Sequence, residues 1–195
     1  MGLLKRIRRL AGNPHRFSGR TAVRHGLLAW LFIILTLPAI PARAASENQV
    51  KAAFLYNFAK FVEWPSPVEG SEARPFVIGV VGESPIADLL PALIRSELIK
   101  GRAVEVRHYR AGDELSQCQV VFVSRGQNGK DIQRSLAGRA ILTVGETESF
   151  LAEGGMIQFV MVEQTVRFDV NVAAANQVGL KVSSRLLAVA RKVAE

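Results

Sequence analysis

The stretch Asn48–Pro65, NQVKAAFLYNFAKFVEWP, sets the pattern from which the rest of the chain can be interpreted. Apolar residues recur in it with the helical period, and one face collects Val50, Phe54, Asn57, Phe58 and Phe61. The proline after Trp64 disfavours helical backbone at that residue and predicts the end of the helix there. Tyr56 lies off the apolar face, so a second apolar contact is predicted. That contact is either another packed element of the same chain or a partner chain.

Other residues join Tyr56 as candidates for an interface with another chain. Asn57 places an amide on an otherwise apolar helical face, where it either bonds backbone groups or meets a partner. An apolar patch around Tyr56 and Trp64 would favour the partner. Arg167 lies between apolar positions of a later strand and is predicted to point to its outer face, where a second chain could pair.

The first 44 residues have the features of a secretory signal peptide. Basic residues precede an apolar run from Gly26 to Leu37, and Ala42-Arg43-Ala44 supplies a small-residue cleavage pattern. The run is shorter than the ~20 residues of a transmembrane helix, although an uncleaved anchor is the alternative. We therefore expect a cleaved leader at 1–44 and a single domain at 45–195 that is exported to the periplasm.

Removing the leader changes the charge of the protein. Eight of the 25 basic residues and none of the 17 acidic residues precede Ala45, so the exported part is formally neutral. This composition gives no support to nucleic acid or to an anionic membrane surface as a partner.

Short apolar runs alternate with helical patterns along the rest of the chain. The runs at 75–81, 120–124 and 140–144 are typical of strands buried on both faces, and 103–109 alternates like a half-exposed edge strand. Helical patterns begin at Pro85, Lys130 and Glu146. The alternation predicts an α/β fold with three layers, in which a mainly parallel sheet carries helices on both faces.

The C-terminal part has a different pattern. Two alternating segments, 156–162 and 165–172, are separated by Glu163-Gln164, which predicts an antiparallel hairpin at one edge of the sheet. After Gly179 the apolar residues predict a longer helix that begins at Ser183.

Residues of the kinds used in catalysis are scarce. His108 and Cys118 are the only histidine and cysteine after the leader, so a zinc site and an internal disulfide are not expected. The chain has no G-x-S-x-G, Walker A or G-x-G-x-x-G motif. We predict a protein that is not an enzyme and has no metal or cofactor.

The carboxyl ends of the predicted strands offer one set of candidate ligand residues. In open parallel sheets ligands bind at this end, and helix starts there present backbone N–H groups. The polar residues at these positions are Glu83, Ser84, Ser124, Arg125, Glu146 and Thr147. They are either loops around a small anionic or zwitterionic ligand or ordinary turns between strands and helices.

The opening stretch and later blocks together resemble the YfiR-like family. The later blocks are Ile141–Gly145, Phe150, Gly154–Ile157, Phe168–Asn171 and Gly179–Leu187. In that order the resemblance covers essentially all of the chain after residue 47. It implies a periplasmic regulator, because the best-known member represses an inner-membrane diguanylate cyclase through its periplasmic sensory region and is sequestered by an outer-membrane lipoprotein.

These observations leave several functions open. The first is a dimeric periplasmic regulator that controls a membrane protein, a diguanylate cyclase or a histidine kinase, by protein–protein contact. The second is a periplasmic module that binds a small molecule through the loops at the strand ends. The third is an accessory structural protein of the cell envelope.

Overall fold

A computed structural model describes residues 46–65, 73–95 and 97–195. The predicted leader at 1–44 lies outside the described residues. The helices are α1 (Glu47–Phe61), α2 (Ile86–Leu93), α3 (Gly129–Ser135), α4 (Val172–Gln177) and α5 (Ser184–Leu187). The strands are β1 (Val62–Glu63), β2 (Phe76–Val81), β3 (Leu98–Ile99), β4 (Arg102–Tyr109), β5 (Val120–Val123), β6 (Leu142–Gly145), β7 (Ile157–Val162), β8 (Thr165–Asn171), β9 (Lys181–Val182) and β10 (Lys192–Ala194).

The main sheet confirms the α/β prediction. Its eight strands follow the order β10-β8-β7-β6-β5-β2-β4-β3. Neighbours run parallel except in the β7-β8 hairpin and where β3 pairs with β4. A separate small sheet joins β1 to β9 and ties the end of α1 to the C-terminal region.

Helix α1 begins with a capping box and ends at Phe61, three residues before the end that the sequence predicts at Trp64. Ser46 accepts a hydrogen bond from the backbone of Gln49, and the Gln49 side chain accepts one from the backbone of Ser46. The buried face is centred on Leu55 and Phe58, both fully buried, and not on the stripe through Asn57 that the sequence favours. Val50, Phe54 and Phe61 of the predicted face are partly exposed and only border the core. The buried face of α1 is therefore rotated away from the predicted one.

Two apolar clusters fill the two sides of the sheet. On one side α1 and α2 cover alternate residues of β2, β5, β6, β7 and β8, and Phe54, Phe58, Phe159 and Phe168 meet there with ring centroids 4.8–6.3 Å apart. On the other side Ile132 and Leu136 pack with Phe150, Val121 and Val123. The predicted three-layer arrangement is therefore present.

The β7-β8 hairpin turns at the predicted pair of residues. Glu163 and Gln164 both have positive φ angles, 47° and 62°, as a tight hairpin turn requires. These residues are not the preferred Asn-Gly, and Val162 pairs directly with Thr165 across the turn. The hairpin is not the outermost part of the sheet, because β10 pairs with β8.

The predicted long C-terminal helix is wrong. Helix α5 has only four residues, and the chain then extends into β10. The backbone N–H of Arg191 donates to the carbonyl of Phe168, and its guanidinium forms a two-point ion pair with the buried carboxylate of Asp169. These long-range bonds outweigh the local helical pattern.

The helix predicted from Glu146 to Leu151 is also replaced by turns. The N–H of Gly155 donates to the carbonyl of Phe150 at 2.9 Å, and this hydrogen bond closes a turn over residues 150–155. Phe150 is fully buried against Gly145 and Gly155, so its ring anchors the loop to the core.

Candidate functional site

The loops at the carboxyl ends of β5 and β6 are joined to α1 by a buried ion pair. Lys51 is only 3% exposed, and its Nζ lies 2.5 Å from Oε2 of Glu146 and 2.5 Å from Oε1 of Glu47. Oε1 of Glu146 accepts a hydrogen bond from the backbone N–H of Arg125 at 2.9 Å. The predicted residues Arg125 and Glu146 are thus brought together, with both oxygens of the carboxylate bonded.

The sequence analysis did not identify Lys51 as a member of this cluster. The predicted apolar face leaves Lys51 at its margin. In the structure Lys51 lies on the buried face of α1, four residues before Leu55 and seven before Phe58. A lysine in register with buried apolar positions is a signal that an acidic partner is needed. Glu146 supplies that partner from 95 residues further along the chain.

At the switch point of the sheet, between β2 and β5, protein fills the space where a ligand crevice would open. The chain leaves β2 toward α2 on one face and β5 toward α3 on the other, which is the arrangement that opens a crevice between those strands. Here Ser124 is buried and donates to the carbonyl of Val81 at 2.8 Å. A Cβ at Gly82 would lie 2.4 Å from Oγ of Ser124 and 2.7 Å from the side chain of Gln127.

An open cleft instead follows β2 and β4. It has a volume of about 870 Å³ and lies where Val81 and Tyr109 pair at the ends of the two strands. The lining residues are Gly82, Glu83, Ser84, Pro85, Asp88, His108, Tyr109, Arg110 and Asp113. The carboxylates outnumber the single arginine, so the cleft favours ligands that carry a positive group.

The predicted ligand-loop residues therefore do not form one site. Glu83 and Ser84 line the cleft, although Oγ of Ser84 also accepts from the N–H of Ile86 at 3.3 Å. Ser124 is buried, Arg125 and Glu146 form the cluster with Lys51, and Thr147 is partly exposed in the following turn. His108 joins the cleft because β4 lies parallel and adjacent to β2, which the order of elements alone does not fix.

The predicted interface residues on α1 have different surroundings. The hydroxyl of Tyr56 donates to Oε2 of Glu97 at 2.6 Å, and Nζ of Lys60 lies 5.0 Å from the ring centroid. The hydrogen bond to Glu97 raises the pKa of Tyr56 above its usual value, with a smaller contribution from burial. Tyr56 thus holds α1 to the segment before β3.

Asn57 and Trp64 face different ways. Asn57 is partly exposed on the side of α1 opposite Leu55, and its amide has no hydrogen-bond partner among the described residues. Trp64 packs edge-on against Phe76 with ring centroids 5.2 Å apart. The indole nitrogen of Trp64 is buried and has no acceptor within the described part of the chain.

Arg167 is exposed on β8, as predicted, and is paired in register with Val160 of β7. It lies two residues before Asp169, the residue at which β10 begins to pair with β8. The four predicted interface residues do not form one surface, since α1 and the outer face of the hairpin lie on opposite sides of the sheet.

Strand β4 carries an ion pair on its outer surface. Nε and one terminal nitrogen of Arg107 donate to the two oxygens of Glu105 at 2.8 and 2.9 Å. These hydrogen bonds lower the pKa of Glu105 and raise that of Arg107. Both side chains are substantially exposed, at 44% and 33%, so this pair adds little to stability.

His108 and Cys118 lie on opposite sides of the main sheet. His108 is exposed and shares the side of the sheet on which Val80 lies, whereas Cys118 is buried in the cluster on the opposite side. Burial raises the pKa of the Cys118 thiol. Across residues 46–65, 73–95 and 97–195, no group of three or more His, Cys, Asp or Glu residues is placed to hold a metal ion.

Comparison with known protein families identifies the family of this chain. The sequence profile described as DUF4154, YfiR/HmsC-like, matches residues 48–191. The chain belongs to the YfiR/HmsC-like family. The match begins in α1 and ends at Arg191, so it includes Lys51 and Glu146, the cleft and the hairpin.

One solved structure with a similar fold is a conserved domain protein from Vibrio cholerae. It shares 12% sequence identity with a TM-score of 0.54, and the alignment covers 76% of this chain and 60% of that protein. At this identity the likeness shows the fold alone, and the YfiR/HmsC-like chain spans about 60% of the length of the solved protein. No match was found among curated proteins. None of the described helices is both long and apolar enough to cross a membrane.

Proposed function

We propose that this YfiR/HmsC-like protein is a periplasmic regulator that controls an inner-membrane signalling protein, such as a diguanylate cyclase, by direct contact. The family match over residues 48–191 is the observation that carries this proposal. The resemblance of the sequence to YfiR-like proteins supplies the kind of partner, a membrane protein with a periplasmic sensory region.

The face of α1 that is turned away from the sheet supports a contact of this kind. Ala53, Asn57 and Phe61 are partly exposed there, beside the exposed Lys60. An amide among small and aromatic groups is suited to the core of a protein interface, which is apolar but contains isolated hydrogen bonds. We place the contact with the membrane partner on this face.

Regulation requires that the two states of the partner bind this protein with different affinities. A regulator that binds both states equally shifts nothing, however tight the binding. Moving a two-state partner from almost fully active to almost fully inactive needs a preference of ~10⁴-fold for the inactive state. The contact must therefore include residues of the partner that move between those states.

A capture experiment with solubilised inner membranes tests the proposal. We expect the exported protein to recover a membrane protein that has a periplasmic region and a cyclase or kinase output. Replacing Asn57 with lysine is expected to weaken this capture by about tenfold or more, because a charge is added at the centre of the contact. Binding is then measured with the purified partner.

Ala137→Lys is the matched control. It adds the same charge at an exposed position beyond α3, on the opposite side of the sheet, and should bind like the original chain. Thermal unfolding of both variants establishes that they are folded. Recovery of no membrane signalling protein would remove the regulatory proposal, whereas equal binding by the two variants would remove only the assignment to α1.

The cleft after β2 and β4 supports a second candidate function, the binding of a small cationic or zwitterionic molecule. Its volume of about 870 Å³ suits a small ligand, and Glu83 and Asp88 offer carboxylates beside His108. A ligand held there would lie next to the start of α2 and the end of β4.

A thermal-shift screen of cationic and zwitterionic metabolites tests this candidate. A specific ligand at ~100 times its Kd should raise the melting temperature by about 5 °C or more. Glu83→Gln should reduce the shift, whereas Glu148→Gln, at an exposed position outside the cleft, should preserve it. The absence of any shift, or equal shifts in both variants, would argue against the cleft.

A further inference from the structure

Strand β10 covers only part of the outer edge of β8. It pairs with β8 from Asp169 to Asn171, in the parallel direction. Among the described residues no strand pairs with the outer side of β8 between Thr165 and Phe168. This part of the edge is open, and an open strand edge is a template for the backbone of another strand.

Two hydrogen bonds fix the direction of the backbone groups along β8. The N–H of Asn171 donates to the carbonyl of Met156 at 2.8 Å, on the side of β7. The carbonyl of Phe168 accepts from the N–H of Arg191 at 2.9 Å, on the opposite side. Backbone groups of successive strand residues point to alternate sides. The N–H and C=O groups of Val166 and Phe168 therefore point outward, away from β7.

The C-terminal strap, which we define as residues 188–195, is held loosely on this edge. Its strand β10 has three residues, and Val193 within it is 39% exposed. Val189, in the connection that precedes β10, is 60% exposed. The buried anchor of the strap is the ion pair of Arg191 with Asp169. A buried carboxylate is costly without a partner, so the strap can leave the sheet only if another cation replaces Arg191.

We propose that the outer edge of β8 is a docking site for an extended segment of another protein, which runs in the direction of β10 and displaces the C-terminal strap. The incoming strand pairs with β8 from Val166 to Val170, whereas β10 reaches only the last residues of the edge. The additional backbone hydrogen bonds offset the loss of the strap. This docking site is separate from the α1 face proposed above for the membrane partner.

The side chains along β8 define the chemistry of the incoming segment. The exposed Arg167 and the buried Asp169 lie on one side of the strand. Neighbouring strands lie ~4.8 Å apart, so a charge directly opposite either residue interacts with it strongly. The segment is therefore acidic opposite Arg167 and basic opposite Asp169. On the other side Phe168 and Val170 join the core, and Val193 of β10 faces Val170, so the alternate residues of the segment are apolar.

The strap itself matches this chemistry only in part. Lys192 lies in register with Asp169, and Arg191 beside it supplies the two-point ion pair. Residues 188–194 contain no acidic side chain, so this part of the strap offers no opposite charge to Arg167. An incoming segment that carries an acidic residue before its basic residue satisfies both charges of the edge, and the strap satisfies one.

A synthetic peptide tests the docking site directly. The probe is a fluorescein-labelled peptide of sequence TVEVRVA, whose glutamate and arginine lie opposite Arg167 and Asp169 in the proposed register. Fluorescence anisotropy with the exported protein should show saturable binding. The matched control peptide, TVRVEVA, has the two charged residues exchanged and should bind about tenfold more weakly or worse. Equal binding of the two peptides would overturn the proposal.

Weakening the strap should strengthen the binding of the TVEVRVA peptide. Arg191→Gln removes the anchor, and the apparent affinity rises with the fraction of molecules whose edge is free, so we expect a Kd about tenfold lower. Lys192→Gln is the matched control, because it removes an exposed charge one residue further on and leaves the anchor in place. Thermal unfolding establishes that both variants are folded. No binding to either the original chain or Arg191→Gln would overturn the proposal.

A reversible disulfide tests whether the strap must leave, and it does so without weakening the anchor. Val170 and Val193 are directly in register, and the ~4.8 Å between neighbouring strands permits a disulfide. Oxidised Val170→Cys with Val193→Cys should not bind the peptide, and reduction should restore binding. Met161→Cys with Val166→Cys locks the hairpin, leaves the strap free and should bind in both states. Unchanged binding by the oxidised strap variant would overturn the proposal.

Hydrogen exchange shows whether the strap opens in the absence of the peptide. Displacement requires that β10 separates from β8 while the rest of the sheet stays folded. We expect the N–H of Ala194 to exchange about a hundredfold or more faster than the N–H groups of β7, which lies inside the sheet. Equal protection of β10 and β7 would mean that the strap leaves only when the whole domain unfolds, and would overturn the displacement.

Discussion

Replacing Glu146 with alanine is expected to lower the free energy of unfolding by about 3 kcal/mol. The substitution removes the carboxylate that lies 2.5 Å from the buried ammonium group of Lys51. Breaking one side of a buried ion pair typically costs ~3–5 kcal/mol, because the remaining charge is left without its partner. The lower end applies here, since Glu47 still contacts Lys51 but is itself 45% exposed.

Urea denaturation of three variants separates this effect from simple loss of surface charge. Glu148→Ala removes an exposed carboxylate two residues away and should change stability by less than ~0.5 kcal/mol. Lys51→Met combined with Glu146→Ala removes the uncompensated charge and should be more stable than Glu146→Ala alone. If the double variant is instead the less stable of the two, the ion pair is not what holds the loops to α1.

This cluster shows why part of the candidate site could not be predicted from sequence. The residue types at the strand ends are recognisable, and Arg125 and Glu146 do meet. Which of them faces a ligand and which faces the protein depends on Lys51, which is close to neither in sequence. The spacing of Lys51 indicates that an acidic partner is needed, but the packing of distant segments decides which residue supplies it.

The fold itself was more accessible to sequence reasoning. The buried strands β2, β5 and β6 are short runs of β-branched and apolar residues, and their period is a local property. The hairpin can be located because Glu163-Gln164 is the only gap between two alternating segments. The proposed regulatory function comes from the family resemblance and not from these patterns.

The C-terminal segment, in contrast, could not be predicted from its local pattern. Residues after Ser183 carry an apolar helical pattern, yet the chain straightens so that Lys192–Ala194 can pair with β8. Arg191 reaches the buried Asp169 from this extended backbone. The tertiary ion pair and the sheet bonds exceed the small differences in helix propensity, which are below ~1 kcal/mol per residue for most residues.

Replacing Phe150 with alanine is expected to lower the free energy of unfolding by about 3–5 kcal/mol, the largest effect that we predict. Its ring is fully buried and packs with Ile132 and Leu136 beneath α3. It also fills the space over Gly145 and Gly155 and so holds the turn that carries Glu146. Denaturant unfolding gives the change, and the cavity adds to the loss of apolar burial.

A double-mutant cycle with Gly145→Ala shows whether the ring acts through this contact. A Cβ at Gly145 would lie 2.4 Å from the Phe150 ring, so alanine there should cost about 1–3 kcal/mol in the original chain. With Phe150→Ala already present the same change should cost almost nothing, because the ring is gone. Gly155→Ala provides the contrast: its Cβ would also lie 2.6 Å from the carbonyl oxygen of Phe150, which the alanine substitution leaves in place. Equal costs of Gly145→Ala in both backgrounds would mean that the cost does not come from the Phe150 ring, and that the ring does not hold the loop through this contact.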